Sequence, residues 1–181
     1  MWYKQAFKNP KHTGAMIALF IPPKIGKKIQ LNESQVSKKA KIEDYQGFHI
    51  TLAYLGETKD INVSKNKIIE TLNSFAKKHE VIKGKISGIG LFNNVESDGT
   101  KALYASFDSP DLPEFRQDLI NELQKINGLE LILNHGFSPH ITLAYVPSNE
   151  NISEINVPVI NIEFNSFILA WAEKHTEFKL Q

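Results

Sequence analysis

His49-Ile50-Thr51-Leu52-Ala53-Tyr54 recurs, residue for residue, as His140-Ile141-Thr142-Leu143-Ala144-Tyr145. Each copy places an imidazole two residues before a hydroxyl. On an extended strand, side chains at i and i+2 share a face. The spacing therefore puts His49, Thr51 and Ala53 on one face with Ile50, Leu52 and Tyr54 on the other, and repeats this with His140, Thr142 and Ala144 against Ile141, Leu143 and Tyr145. The apolar half reads as core. The polar half does not, because an unpaired polar group is costly in a core. A purely structural role, with each His satisfying a backbone carbonyl and each Thr serving as a β-branched strand former, accounts for either copy alone. Both polar choices recurring with the same spacing and flanks point instead to a duplicated fold whose two units face one central cleft.

A chain of 181 residues with 41% hydrophobic content has enough apolar surface to form a core without staples. Cysteine is absent, which excludes disulfides, thiolate metal sites and a Cys nucleophile. The start, Met1 to Lys8, lacks the apolar stretch of a signal peptide, and no run is long enough to span a bilayer. The expectation is a cytoplasmic protein with no membrane association and no obligatory protein partner. Residues 1–41 hold nine Lys and a single acid, Glu33, so this stretch carries +8 in a chain whose net charge is +1. Such a segment suits a phosphate-bearing ligand, or is simply a solvated Lys-rich face. Arg116 is the only arginine. Phosphate contacts then fall to hydroxyls, Lys, His and backbone N–H groups.

Along the chain, residues 15–21 read as a buried strand ended by Pro22-Pro23, and 24–31 as a short helix. Residues 32–47 read as a polar loop leading into the first hexapeptide strand, which stops at Gly56. Ser64 is the expected N-cap of a helix to about His79 with Ile68, Leu72, Phe75 and Ala76 on its inner face. A bulged strand over 81–92, a turn at Asp98-Gly99 and a strand over 101–107 follow. Asp111 and Glu114 form the pattern of a capping box for a helix lined by Phe115, Leu119, Leu123 and Ile126. Residues 129–133 read as extended, and strands follow the second hexapeptide near 157–164, 166–172 and 177–180. No linker separates independent domains, so 1–181 reads as a single α+β domain.

The doubled His-x-Thr resembles the 2H phosphoesterase superfamily. Further stretches are similar to its bacterial and phage 2′-5′ RNA ligase branch: Thr13 to Leu19, the Leu-Ala-Tyr-Leu-Gly after the first pair, Asp108-Ser109-Pro110 before a helix with Phe115-Arg116, and Gly136-Phe137-Ser138-Pro139 before the second pair. The resemblance covers roughly residues 12 to 181. It implies two pseudo-twofold-related lobes, each an antiparallel sheet with flanking helices, around a central groove. It also implies metal-independent cleavage of phosphodiesters at a ribose 2′ or 3′ oxygen, with no cofactor. Members open 2′,3′-cyclic phosphates, cut 2′-5′ oligoadenylates or, in phage relatives, degrade cyclic oligonucleotide defence signals (anti-CBASS enzymes).

The residues suit that chemistry. In-line attack at phosphorus needs a base beside the incoming oxygen and an acid beside the leaving oxygen. Imidazoles with an unperturbed pKa of about 6.5 can supply both near neutrality. His49 and His140 are the expected pair, in either assignment, with Thr51 and Thr142 on the non-bridging oxygens and Ala53 and Ala144 leaving room. Trp2, Tyr3, Phe48 and Trp171 are candidates to stack on a base, with core packing as the competing role. Lys174 and His175 either reach the groove or serve as turn charges, and Tyr54 and Tyr145 read as structural. His12, His79 and His135 show no metal-ligand spacing, and no Walker loop, dinucleotide fingerprint or nucleophile elbow is present. The ligand expected is a nucleotide or oligonucleotide substrate. A module that sequesters a nucleotide without cutting it, or a structural duplicated β protein, is the alternative.

Overall fold

In the computed structural model, which describes residues 13–133 and 136–181, two antiparallel sheets share one hydrophobic core. Strand β1 (Gly14–Phe20) ends at prolines that start the short helix α1 (Pro23–Ile29). The stretch expected to be loop contains a two-residue strand, β2 (Lys41–Ile42), and a 3₁₀ turn over Tyr45–Gly47. The hydrophobic Ile42 is what seats β2: it lies opposite Ala144 on the core side. The first hexapeptide opens β3 (His49–Glu57). Helix α2 (Lys65–Ala76) buries Ile68, Leu72, Phe75 and Ala76, the face its 3.6-residue period dictates.

Strands β4 (Ile82–Leu91) and β5 (Thr100–Asp108) form a hairpin, with a register shift between Ser87 and Ile89 where Gly88 takes φ 65°. Helix α3 (Leu112–Gln124) buries Leu112, Phe115, Leu119, Ile120 and Leu123. The expected Asp111 capping box does not form: Asp111 makes no side-chain cap bond, and its carbonyl takes the Phe115 N–H. Pro113 pre-sets the first turn of this helix. Ser64 likewise precedes α2 without a side-chain bond. Residues 129–133 join no sheet. The second hexapeptide opens β6 (His140–Pro147), followed by β7 (Ile160–Phe164), β8 (Ser166–Trp171) and β9 (Lys174–Lys179).

The first sheet runs β3-β1-β8-β9 and the second β2-β6-β5-β4-β7. Halves of the chain are therefore not halves of the fold, since the C-terminal hairpin β8-β9 completes the sheet begun by β1 and β3. Helix α2 packs on α3 and β9, and α3 packs on β3. Phe75, Phe115 and Phe167 meet edge to face between these helices and β8, with centroids 5.1 to 6.0 Å apart. Each such pair is worth roughly 0.5–1.5 kcal/mol beyond its buried area. Strand β3 also touches β6, so the two hexapeptides adjoin where the sheets meet. Ile50 and Leu52, Ile141 and Leu143 all enter the same core cluster. The faces carrying the histidines consequently turn away from that core.

Candidate functional site

The strict alternation expected of both hexapeptides breaks at the same position in each. Pairing between β1 and β3 runs Phe20 with His49, Leu19 with Ile50 and Ala18 with Thr51, then skips Leu52 and resumes with Ile17 opposite Ala53. Pairing between β5 and β6 runs Ser106 with His140 and Tyr104 with Thr142, then skips Leu143 and resumes with Leu103 opposite Ala144. An extra residue of this kind is a β-bulge, and it reverses the phase of the residues that follow, until in β3 a second shift, at Leu55, reverses it again. Ala53 and Ala144 thus enter the core, at 4% and 0% exposure, rather than leaving room beside the histidines. Tyr54 and Tyr145 rotate onto the histidine face, the reverse of the expectation from a regular strand. Tyr54 lies opposite Met16, its ring over Gly14, and Tyr145 lies opposite Ala102.

Each bulge is held by a hydrogen bond to the carbonyl of its extra residue. Arg116 Nε donates to Leu52 O at 2.9 Å, and the Glu43 N–H donates to Leu143 O at 2.9 Å. The first is charge-assisted and belongs to a class worth about 1.5–3 kcal/mol. Burial pushes the Arg116 guanidinium below its ordinary value.

The imidazoles are also fixed alike. His49 Nδ1 lies 2.7 Å from Gly47 O, and His140 Nδ1 lies 2.6 Å from Ser138 O. A carbonyl oxygen only accepts, so Nδ1 carries the hydrogen in both rings. All four residues of the two His-x-Thr pairs are partly accessible. Their neighbours differ. His49 lies 5.4 Å from the Phe20 ring, and Met16, Ala18, Phe20 and Ile168 make a small apolar cluster on that face, separate from the main core. Around His140 stand Phe92 at 4.7 Å, Tyr104 at 5.7 Å and Ser106, whose hydroxyl donates to Ser87 O. The Thr51 hydroxyl points at the soft Met16 sulfur, 4.0 Å away.

Of the four described aromatic and basic candidates beyond the pairs, the structure brings one to this face. Phe48 is 2% exposed in the main core, because it sits one residue out of phase with His49, and cannot stack on a base. Trp171 and Lys174 pair with each other and Trp171 with Ala15, all on the core side of the first sheet. There the Trp171 ring lies 5.7 Å from Lys65 Nζ, and burial, then Lys174, lowers the Lys65 pKa. His175 instead pairs with Ala170 on the histidine face, its ring 5.2 Å from Phe20. Trp2, Tyr3, His12 and His135 lie outside the described residues. His79 serves structure: Nδ1 bonds Phe75 O and Nε2 lies 3.5 Å from Asp118.

Sequence reasoning missed Phe20, Phe92, Tyr104 and Ser106, which reach the site only through strand pairing. A cavity of about 880 Å³ opens elsewhere, floored by Phe107 and Ile162 and walled by Pro110, Pro113 and Pro139. No histidine lines it, so the candidate site is placed on the face that carries the repeated imidazoles. Among the described residues, no group of three His, Cys, Asp or Glu is arranged to hold a metal, and no helix is long and apolar enough to cross a membrane.

Solved structures with the same fold include TT0787 of Thermus thermophilus, 17% identical with a TM-score of 0.60, covering 93% of this chain and 95% of that one. E. coli LigT complexed with 3′-AMP is 18% identical with a TM-score of 0.58, covering 96% of each chain. Kluyveromyces marxianus Usb1 is 8% identical with a TM-score of 0.53, covering 94% of this chain and 99% of that one. At such identities the likeness is one of fold. The family model described as the AKAP7 2′5′ RNA ligase-like domain matches residues 24–181, nearly the whole chain and both hexapeptides. The protein belongs to that family, within the 2H phosphoesterase, LigT-like superfamily.

Proposed function

We propose that this protein is a phosphodiesterase that cleaves phosphodiesters at a ribose 2′ or 3′ oxygen in small nucleotides, with His49 and His140 as its acid and base. The observation that carries the reading is the duplicated bulge. It gives each strand a His, a Thr and a Tyr on one face, with each Nδ1 tied to a carbonyl two residues back. One Nε2 removes the proton of the attacking hydroxyl or water while the other delivers a proton to the leaving ribose oxygen, and Thr51 and Thr142 hold the non-bridging oxygens between them. Such acid–base help is worth roughly 10²- to 10⁴-fold per group, and fixed hydroxyls limit the phosphate to the in-line orientation. The two imidazoles suffice for these steps, so no metal enters them. Lys41, opposite Tyr145 with Nζ 5.8 Å from its ring, stands on the same face as an ion pair with Glu43 at 3.9 Å. A nucleotide substrate accords with E. coli LigT, which has been solved with 3′-AMP, ATP and NADP+.

The test is a product assay on a panel of 2′,3′-cyclic mononucleotides, 2′-5′ oligoadenylate and cyclic oligonucleotides. The parent is expected to convert at least one of these in the presence of chelator, and a folded His49→Ala, His140→Ala double variant none. A double variant as fast as the parent refutes the reading. Ligand bound and returned unchanged by the parent identifies a sequestering module instead.

A further inference from the structure

We propose that Arg116 is a positioning residue that sets the two histidine units relative to one another; the claim rests on the reading of those units as one site. It is the only arginine among 21 basic residues, and it sits on α3, outside both hexapeptides. Its Nε donates to the carbonyl of Leu52, the extra residue of the first bulge and the neighbour of Thr51. Its guanidinium carbon lies 4.3 Å from the centroid of the Phe137 ring. Phe137 precedes Ser138, whose carbonyl holds His140 Nδ1 at 2.6 Å. One side chain thus touches the backbone beside Thr51 and the residue beside the carbonyl that orients His140.

Lysine cannot make both contacts. It has no planar face to lie on a ring and no in-line Nε–H, whereas guanidinium offers both at once. The single departure from lysine in the whole basic set falls where those two properties are needed together. The contacts of Arg116 that carry the proposal are with the scaffold, the Leu52 carbonyl and the Phe137 ring. Arg116 acts through the strand bulge on one side and the segment entering β6 on the other.

Two variants separate the arms. Arg116→Lys keeps the charge and removes the fork and the stack, while Phe137→Leu removes only the stack. The first readout is the pair of imidazole signals of His49 and His140 in nuclear magnetic resonance spectra of the folded proteins, which needs no turnover. Arg116→Lys is expected to shift both rings, and Phe137→Leu that of His140 alone. The second readout is kinetics on whichever substrate the panel identifies. A small misplacement of reacting groups is expected to lower kcat about 10- to 100-fold with KM within about twofold, and methylguanidinium is expected to restore part of the rate to Arg116→Ala. Folded Arg116→Lys protein with both imidazole signals unmoved, or with parental kcat, overturns the proposal. If the parent converts nothing on the panel, the functional reading fails while the imidazole signals still decide whether Arg116 joins the two units.

Discussion

The two hexapeptides are identical in sequence and share the same bulge and the same Nδ1 contact, yet they stand against unlike walls. His49 is backed by Phe20, with Met16 and Ile168 nearby, whereas His140 is backed by Ser106, Tyr104 and Phe92. What the repeat specifies is what lies within reach of its own backbone: the bulge, the carbonyl bond to Nδ1, and the inward run of Ile, Leu and Ala. What the neighbouring strand supplies is free to differ, because it arrives by register from a different sequence. A duplicated unit can thereby keep its reacting groups and diverge in the polarity around them, and that divergence is where unequal acid and base roles would arise.

The hardest break of the comparison is to remove either imidazole. His49→Ala and His140→Ala are each expected to slow turnover by about 10²- to 10⁴-fold, read as kcat on the substrate found by the panel; one variant at parental rate would make the repeat functionally one-sided. Next come the bulge leucines, 1% and 0% exposed. Leu52→Ala and Leu143→Ala are each expected to cost about 2–5 kcal/mol in urea unfolding. Similar costs support equivalent bulges, and a near-neutral result at either would mean that its bulge can collapse.

Glycines sharpen the difference between the walls. A Cβ at Gly90 would sit 2.5 Å from the Tyr104 ring, which itself leans on His140, while one at Gly14 would sit 3.0 Å from the Tyr54 hydroxyl on an exposed ring. Gly90→Ala is expected to destabilise by about 1–3 kcal/mol and Gly14→Ala by under about 1 kcal/mol. Equal values would show Tyr104 to be as loosely seated as Tyr54.

The smallest effect is a pH dependence. Burial, then Glu43, Glu96 and Asp98, raises the Tyr145 phenol above its ordinary 10.0. The unfolded chain therefore loses that proton first, so the stability tied to neutral Tyr145 is fully present below about pH 10 and is lost as pH rises through the raised native value. Tyr145→Phe is expected to flatten the alkaline limb of the stability curve in urea titrations on either side of that pH, leaving it unchanged near neutrality.

Much of the fold was legible in the sequence because local signals and packing agreed. The apolar faces of both long helices, the proline stop after β1, and the Gly88 and Gly99 irregularities all lie where pattern and turn chemistry place them. The bulges were not read, although a trace was present. The apolar positions are 50, 52, 53 and 55, and again 141, 143, 144 and 146, each with a phase slip at Leu-Ala that simple alternation cannot accommodate. The capping box failed because Asp111 is itself helical, at φ −90° and ψ −21°, rather than in the extended backbone an N-cap needs, and Pro113 offers no N–H to cap. At the candidate site, the shared face of each His-x-Thr pair was legible from the repeated spacing. Phe20, Phe92, Tyr104 and Ser106 were not, since no spacing rule links them to the histidines until strand register is known. Of the two roles open to Phe48, core packing holds and base stacking does not, as adjacent strand residues face opposite ways.

The central claim is that both imidazoles address a single phosphate. The most direct measurement is a crystal structure of the protein with bound inorganic phosphate or a nucleoside phosphate. It is expected to show His49 Nε2 and His140 Nε2 each within hydrogen-bond reach, about 2.6–3.2 Å, of the same phosphate, with Thr51 and Thr142 on its remaining oxygens. A phosphate held by one histidine alone, or on a surface remote from both, would contradict the account.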